Sequence, residues 1–118
     1  MGRPARYNVN LVRGDSKTYT LTFTDNRGAP IDISTWIIYY TVKNCYEDDD
    51  DADAVIKKII TVHTDPTHGI SDIVLENSDT QTLEVQVYWH DIQINIAGKI
   101  NTICMGQLNV IADVTRTH

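Results

Sequence analysis

Residues 16–24 read Ser16-Lys17-Thr18-Tyr19-Thr20-Leu21-Thr22-Phe23-Thr24, and this stretch decides the fold class. In an extended chain Tyr19, Leu21 and Phe23 fall on one side and Thr18, Thr20, Thr22 and Thr24 on the other. Alternation over this length means a strand with one buried face and one wet face. On its N-terminal side, Arg13-Gly14-Asp15 forms a turn after a first alternating strand, Tyr7 to Val12. On its C-terminal side, Asp25-Asn26-Arg27-Gly28 is a second turn, and Pro30 keeps the following piece extended.

Further along, the same signals recur. Ile31 to Ser34 reads as a short edge segment or bend. Trp36 to Val42 is apolar on both faces, which predicts a central strand. Val55 to His63 alternates imperfectly and suggests a strand with a bulge. Asp65-Pro66-Thr67-His68-Gly69 is a dense turn, and Ile70 to Leu75 is another strand. Residues 77–83 differ: Ser78 or Asp79 caps a single helical turn, and Leu83 points inward. Gln86 to Ile96 is a strand with Tyr88, His90, Ile92, Ile94 and Ile96 on one face. Ile103 to Val114 is the last strand. Its core face is Cys104, Leu108, Val110, Ala112 and Val114, and Gly106 marks a bulge or a close backbone approach.

About seven strands, regular turns and one helical turn before the penultimate strand predict an all-β, immunoglobulin-like β-sandwich. The composition agrees, since β-branched and aromatic residues suit a pleated, half-buried surface. The chain has 118 residues and 42% apolar residues, enough for one domain spanning residues 1–118 with an ordered core. Residues 1–6 are expected to be flexible and residues 47–53 to form an acidic loop.

The formal net charge is −6, with 10 basic and 16 acidic residues. Nucleic-acid binders cluster Lys and Arg to replace phosphate counterions, so this balance argues against a nucleic-acid partner. It argues likewise against an anionic membrane surface. No apolar run approaches the length of a membrane span, and no apolar stretch of the kind a secretory signal needs follows the basic N-terminus. Synthesis in a host cytoplasm is the expectation. Cys45 and Cys104 are read as reduced strand or strand-end residues; a bridge between them is the alternative in an Ig-like sandwich, but nothing in their spacing demands it.

Four constellations have chemical readings. The run Glu47-Asp48-Asp49-Asp50-Asp51-Ala52-Asp53 makes Asp48, Asp49, Asp50, Asp51 and Asp53 a weak calcium candidate. Counted from Asp49, however, Ala54 and Ile60 stand where an EF-hand loop needs Gly and a bidentate Glu. A solvated loop is the plainer reading. His63 and His68 flank one turn, but no cysteine joins them at a zinc-site spacing, and His90 reads as a satisfied strand histidine. No nucleophile elbow or phosphate loop occurs, so neither an enzyme nor a cofactor is expected. Arg13-Gly14-Asp15 spells the integrin-ligand tripeptide but suits a tight turn equally well. The aromatic residues Trp89 and Tyr46 are candidates for a carbohydrate or protein contact. The Ile92, Ile94 and Ile96 stripe is read as core first and as interface second.

An ordered set of short motifs runs through the chain. It begins with Leu11-Val12-Arg13-Gly14-Asp15-Ser16 and continues through Asp25-Asn26-Arg27-Gly28-Ala29-Pro30-Ile31-Asp32-Ile33-Ser34. It then passes through Asp53-Ala54-Val55-Ile56-Lys57-Lys58, Asp79-Thr80 with Leu83, and the Tyr88 strand. Gly106-Gln107-Leu108-Asn109-Val110 and Asp113-Val114-Thr115 close it. The set resembles the small Ig-like domains of phage and prophage proteins, notably the N-terminal domain of baseplate upper proteins and related tail-fibre modules. The chain departs from them at Val85, Gln86 and Val87, where the family usually has a Gly before the Tyr strand. The resemblance implies a non-enzymatic virion module that docks on other tail proteins or on itself. A carbohydrate- or cell-surface-binding sandwich is the alternative.

Overall fold

In the computed structural model, which describes residues 5–44 and 54–112, the chain is a two-layer sandwich. The strands are β1 (Ala5–Arg6), β2 (Val9–Val12), β3 (Lys17–Thr22), β4 (Ile37–Lys43), β5 (Ile56–Ile60), β6 (Ile70–Leu75), β7 (Val87–Ile96) and β8 (Lys99–Ile111). The larger sheet has the order β1-β8-β7-β4-β5, with β2 also on β8; the smaller pairs β3 with β6. β1 and β2 both run parallel to β8 and are two halves of one broken edge strand. Counted that way, the sandwich has the seven strands expected. The last residues of the N-terminal leader, Ala5 and Arg6, lie opposite Cys104 and Met105.

The alternation in residues 16–24 places the inner face as predicted. Tyr19 is buried against Ile73 and Leu75 of β6, while Thr18, Thr20 and Thr22 face outward. β4 lies between β5 and β7, and its Ile38, Tyr40 and Val42 are fully buried. Ile92 and Ile94 are buried in the same core, with Ile96 packed half-buried against it, so this stripe is core. Ile33 is fully buried although it lies in a loop, where its amide donates to the Pro66 carbonyl at 2.9 Å.

Several local expectations are corrected. The helical turn is α1 (Asn77–Thr80), but its N-cap is Glu76 rather than Ser78 or Asp79. Asp79 acts from inside the turn: its carboxylate accepts the Glu76 amide at 2.8 Å and pairs with Lys58 of β5 at 2.8 Å. Asp79→Ala is therefore expected to cost about 1 kcal/mol, read as a lower urea midpoint at unchanged slope. The register irregularity lies between Ile92 and Gln93, opposite β8, and not in β5. Ala112 is exposed just past the end of β8 at Ile111, and Val114, expected on the same core face, lies outside the described residues.

Gly69 closes the 3-10 turn Pro66–His68 at φ 73°, and a Cβ there would sit 2.4 Å from the Phe23 carbonyl oxygen. Its partner within the small sheet is Phe23, whose N–H donates to the Gly69 carbonyl at 2.8 Å. This contact ties the end of β3 to the start of β6.

Candidate functional site

The outer faces of the two sheets differ in chemistry. On the small sheet Thr18, Thr20 and Thr22 stand beside Asp72 and Val74. The Thr20 and Thr64 hydroxyls both donate to the Asp72 carboxylate, at 2.7 Å each. These bonds, Thr20's first, hold Asp72 below the usual carboxylate range. That face is rich in threonine, with Thr20, Thr64 and Asp72 bonded to one another and Val74 exposed beside them.

The outer face of the large sheet collects exposed apolar groups instead. Ile59, Val87, Ile100, Met105 and Ile111 are each at least 40% exposed. Strand alternation and register put them on one surface with Tyr39, Trp89 and Gln93. Among the described residues, the charges on this face are Arg6, Lys43 and Lys57 against a single carboxylate, Asp91.

Register builds a cleft into it. Arg6, Met105, Asp91 and Thr41 lie opposite one another across β1, β8, β7 and β4; Trp89 and Lys43 form the next row. Neighbouring strands are about 4.8 Å apart, so the first row spans roughly 15 Å. These side chains, with His90 and Gly106 beneath, line a cleft of about 380 Å³. Lys43, Trp89 and Asp91 also make interactions within the chain, which hold them in place.

Under the cleft is a buried polar cluster. Gly106 lies opposite His90, and a Cβ on it would sit 2.3 Å from the Tyr7 carbonyl oxygen. The backbone crosses here between β1 and β2. His90 Nε2 lies 2.7 Å from that oxygen, and its Nδ1 lies 2.9 Å from the Tyr40 hydroxyl. A carbonyl only accepts, so Nε2 carries the proton and Nδ1 accepts from Tyr40. Tyr19 lies 3.4 Å from Tyr40 and completes the chain of hydroxyls. Burial pushes the His90 pKa down, against the opposing effect of the Tyr7 carbonyl. Burial also pushes the Tyr19 and Tyr40 phenols up. Both ring nitrogens have partners, so His90 is the satisfied strand histidine expected from its place among apolar residues.

His63 serves a similar purpose, its Nε2 donating to the Trp36 carbonyl at 2.7 Å and its Nδ1 facing Ser71 Oγ at 2.9 Å. His68 is exposed and contacts Asp65 at 3.0 Å, so the two histidines flanking the turn do not meet on one ligand. Among the described residues, no three His, Cys, Asp or Glu side chains gather as metal ligands. Of the contact candidates, Trp89 lines the cleft half-buried, whereas Ile92 and Ile94 lie on the opposite, inner face. Tyr46 and the aspartates Asp48, Asp49, Asp50, Asp51 and Asp53 lie outside the described residues, as does Cys45. Cys104 is a free, half-buried thiol, raised in pKa chiefly by burial.

No protein-family model matches the chain, and no curated protein matches it. Among solved structures it is similar to the N-terminal domain of phage TP901-1 ORF48. The TM-score is 0.53 at 13% identity, over 92% of this chain and 89% of that one. It is also similar to a structure of VGSC beta subunits described in terms of multimeric cell-adhesive interactions. There the TM-score is 0.52 at 13% identity, over 90% of this chain and 92% of that one. At this identity the likeness is one of fold: the chain is an Ig-like β-sandwich, and the resemblance read from its sequence has a structural counterpart in a phage N-terminal domain.

Proposed function

We propose that the chain is a structural module of a phage or prophage tail, baseplate or fibre, acting through protein–protein contacts and not as an enzyme. The observation that carries this reading is the asymmetry between the two outer faces. One is rich in threonine; the other gathers exposed apolar side chains around a cleft lined by Arg6, Trp89 and Met105. Exposed apolar side chains gathered on one face with a polar border are characteristic of interaction surfaces. The ordered motif set and the phage domain of like fold supply the virion context. The first test is the gene's neighbourhood. Genes for tail or baseplate proteins on either side are the expected finding, and a neighbourhood without virion genes would remove the reading.

A carbohydrate-binding module is the second reading, and the indole of Trp89 beside Arg6 and Asp91 in the cleft is what favours it. It predicts saturable binding on a glycan array that is lost in Trp89→Ala. An array without signal would discard it.

A further inference from the structure

We infer that the Tyr7–Asn8 link between β1 and β2 is an acid-released latch: a second proton on His90 lifts β1 and this link off β8, while β2 stays in place. This behaviour belongs to the fold and needs no virion partner. The ring is held with one donor and one acceptor nitrogen. Nε2–H donates to the Tyr7 carbonyl at 2.7 Å, and Nδ1 accepts from the Tyr40 hydroxyl at 2.9 Å. A second proton puts a donor on each side of the Nδ1–Tyr40 contact. Tyr40 must then turn its own hydrogen towards Tyr19, and that oxygen lies 3.4 Å away, long for an O–H···O bond. Among the described residues no carboxylate faces the ring. Tyr7, Tyr19 and Tyr40 surround it from the β1–β2 link, β3 and β4, with Lys17 over the Tyr19 ring. β8 brings Gly106 opposite it and the Cys104 thiol near the two inner phenols. Asp91 is next in the chain but on the outer face, where Arg6 and Lys43 line the same cleft. Burial depresses the ring's pKa, and the Tyr7 carbonyl is the group opposing this.

A buried imidazolium without a counter-charge is relieved by water, and water enters where the cover opens most cheaply. Of the three tyrosines, Tyr40 is 0% exposed, Tyr19 4% and Tyr7 41%. Tyr7 also belongs to a sheet edge whose ladder is already interrupted. There Gly106 lets the main chain pass close, and the Asn8 side chain takes the Gln107 amide. β1 adds only Ala5 and Arg6 to the hold. β2, by contrast, buries Val9 and Leu11 in the core. Opening therefore stops at Val9, and it leaves the Met105 carbonyl and the Gln107 amide unpaired on β8.

The test is residue-resolved amide exchange on the full chain at pH 7 and pH 5, corrected for intrinsic rates. Protection at Tyr7 and Gln107 is expected to fall about ten- to thirtyfold, the change open to a histidine freed to titrate near pH 6.5. Little surface is exposed, so low urea leaves these two rates unchanged. The Arg13 and Val110 amides, bonded to Ile111 and Gln86, exchange more slowly and speed up with urea. His90→Gln removes the pH response at Tyr7 and Gln107. Asp48→Asn with Asp49→Asn, Asp50→Asn and Asp51→Asn keeps it. The urea comparison needs only the parent chain, so it stands even where a variant fails to fold. Equal exchange and equal urea dependence at all four amides would overturn the inference, since the ring would then reach water only by global unfolding. So would Tyr7 and Gln107 amides already unprotected at pH 7, an unchanged pH response in His90→Gln, or a response lost with the four aspartates.

Discussion

Gly106→Ala is expected to destabilise the fold by about 2–3 kcal/mol, the range for forcing atoms into a filled site without room to relax. The reason is space and not backbone angle. A Cβ at Gly106 would lie 2.3 Å from the Tyr7 oxygen, 2.7 Å from the Tyr7 carbonyl carbon and 2.8 Å from Asn8 Oδ1. Two of the three are main-chain atoms and cannot swing aside. Moving them breaks what they hold: the Tyr7 amide to the Met105 carbonyl at 2.9 Å, Asn8 Oδ1 to the Gln107 amide at 3.0 Å, and His90 to Tyr7. The edge strand formed by β1 and β2 should therefore loosen first. Hydrogen exchange is the measurement, with protection lost over residues 5–12 before the rest of the chain. Gly98 is the control, because it sits at φ 89° and a methyl placed on it would meet no atom within 4 Å. Gly98→Ala should cost only about 1 kcal/mol, from backbone strain alone. Equal losses at the two sites would contradict the close approach.

Mild acid is expected to weaken the protein through His90. Its folded pKa is depressed, chiefly by burial, whereas an unfolded histidine takes its proton near pH 6.5. Below that pH the unfolded chain binds a proton that the folded chain refuses. Stability is therefore full above about pH 6.5 and is lost as pH falls towards the folded value, by at most about 1.4 kcal/mol per pH unit. The Tyr19 and Tyr40 phenols facing the ring do not share this window. Tyr7, Tyr19 and Tyr40 meet it from three strands or links, and the Tyr19, Tyr40 and nearby Cys104 pKa values are raised further from it. Asp32, lowered mainly by the Ser34 hydroxyl, and Asp72 lose their contributions only below about pH 4. Urea midpoints between pH 7 and pH 4.5 should fall for the parent chain. His90→Gln should start lower and stay flat. Tyr40→Phe leaves Nδ1 without its donor and should cost about 1–2 kcal/mol at pH 7. A parent chain whose midpoint does not change over that interval would refute the buried neutral ring.

Much of the fold is legible in the sequence because local patterns carry it. Thr18, Thr20 and Thr22 alternating with Tyr19 and Leu21 define both the strand and its inner face. The same rule sends Tyr88 and Trp89, adjacent in sequence, to opposite faces. What stays hidden depends on partners far along the chain. Nothing near Ala5 and Arg6 announces a parallel pairing with Cys104 and Met105. Ile33 reads as part of a bend, and only the approach of the Pro66 turn makes it core. The cleft is invisible for the same reason: Arg6, Met105, Asp91 and Thr41 are scattered in sequence, and only the register of β1, β8, β7 and β4 aligns them. The Asn8 side chain that accepts the Gln107 amide leaves no periodic signal at all.

The most direct measurement is the protein content of purified particles from the organism whose genome carries this sequence. The account predicts the chain at a fixed copy number per particle, retained through salt washing and density banding. Particles that band free of the chain, while it accumulates unassembled in the lysate, would contradict it.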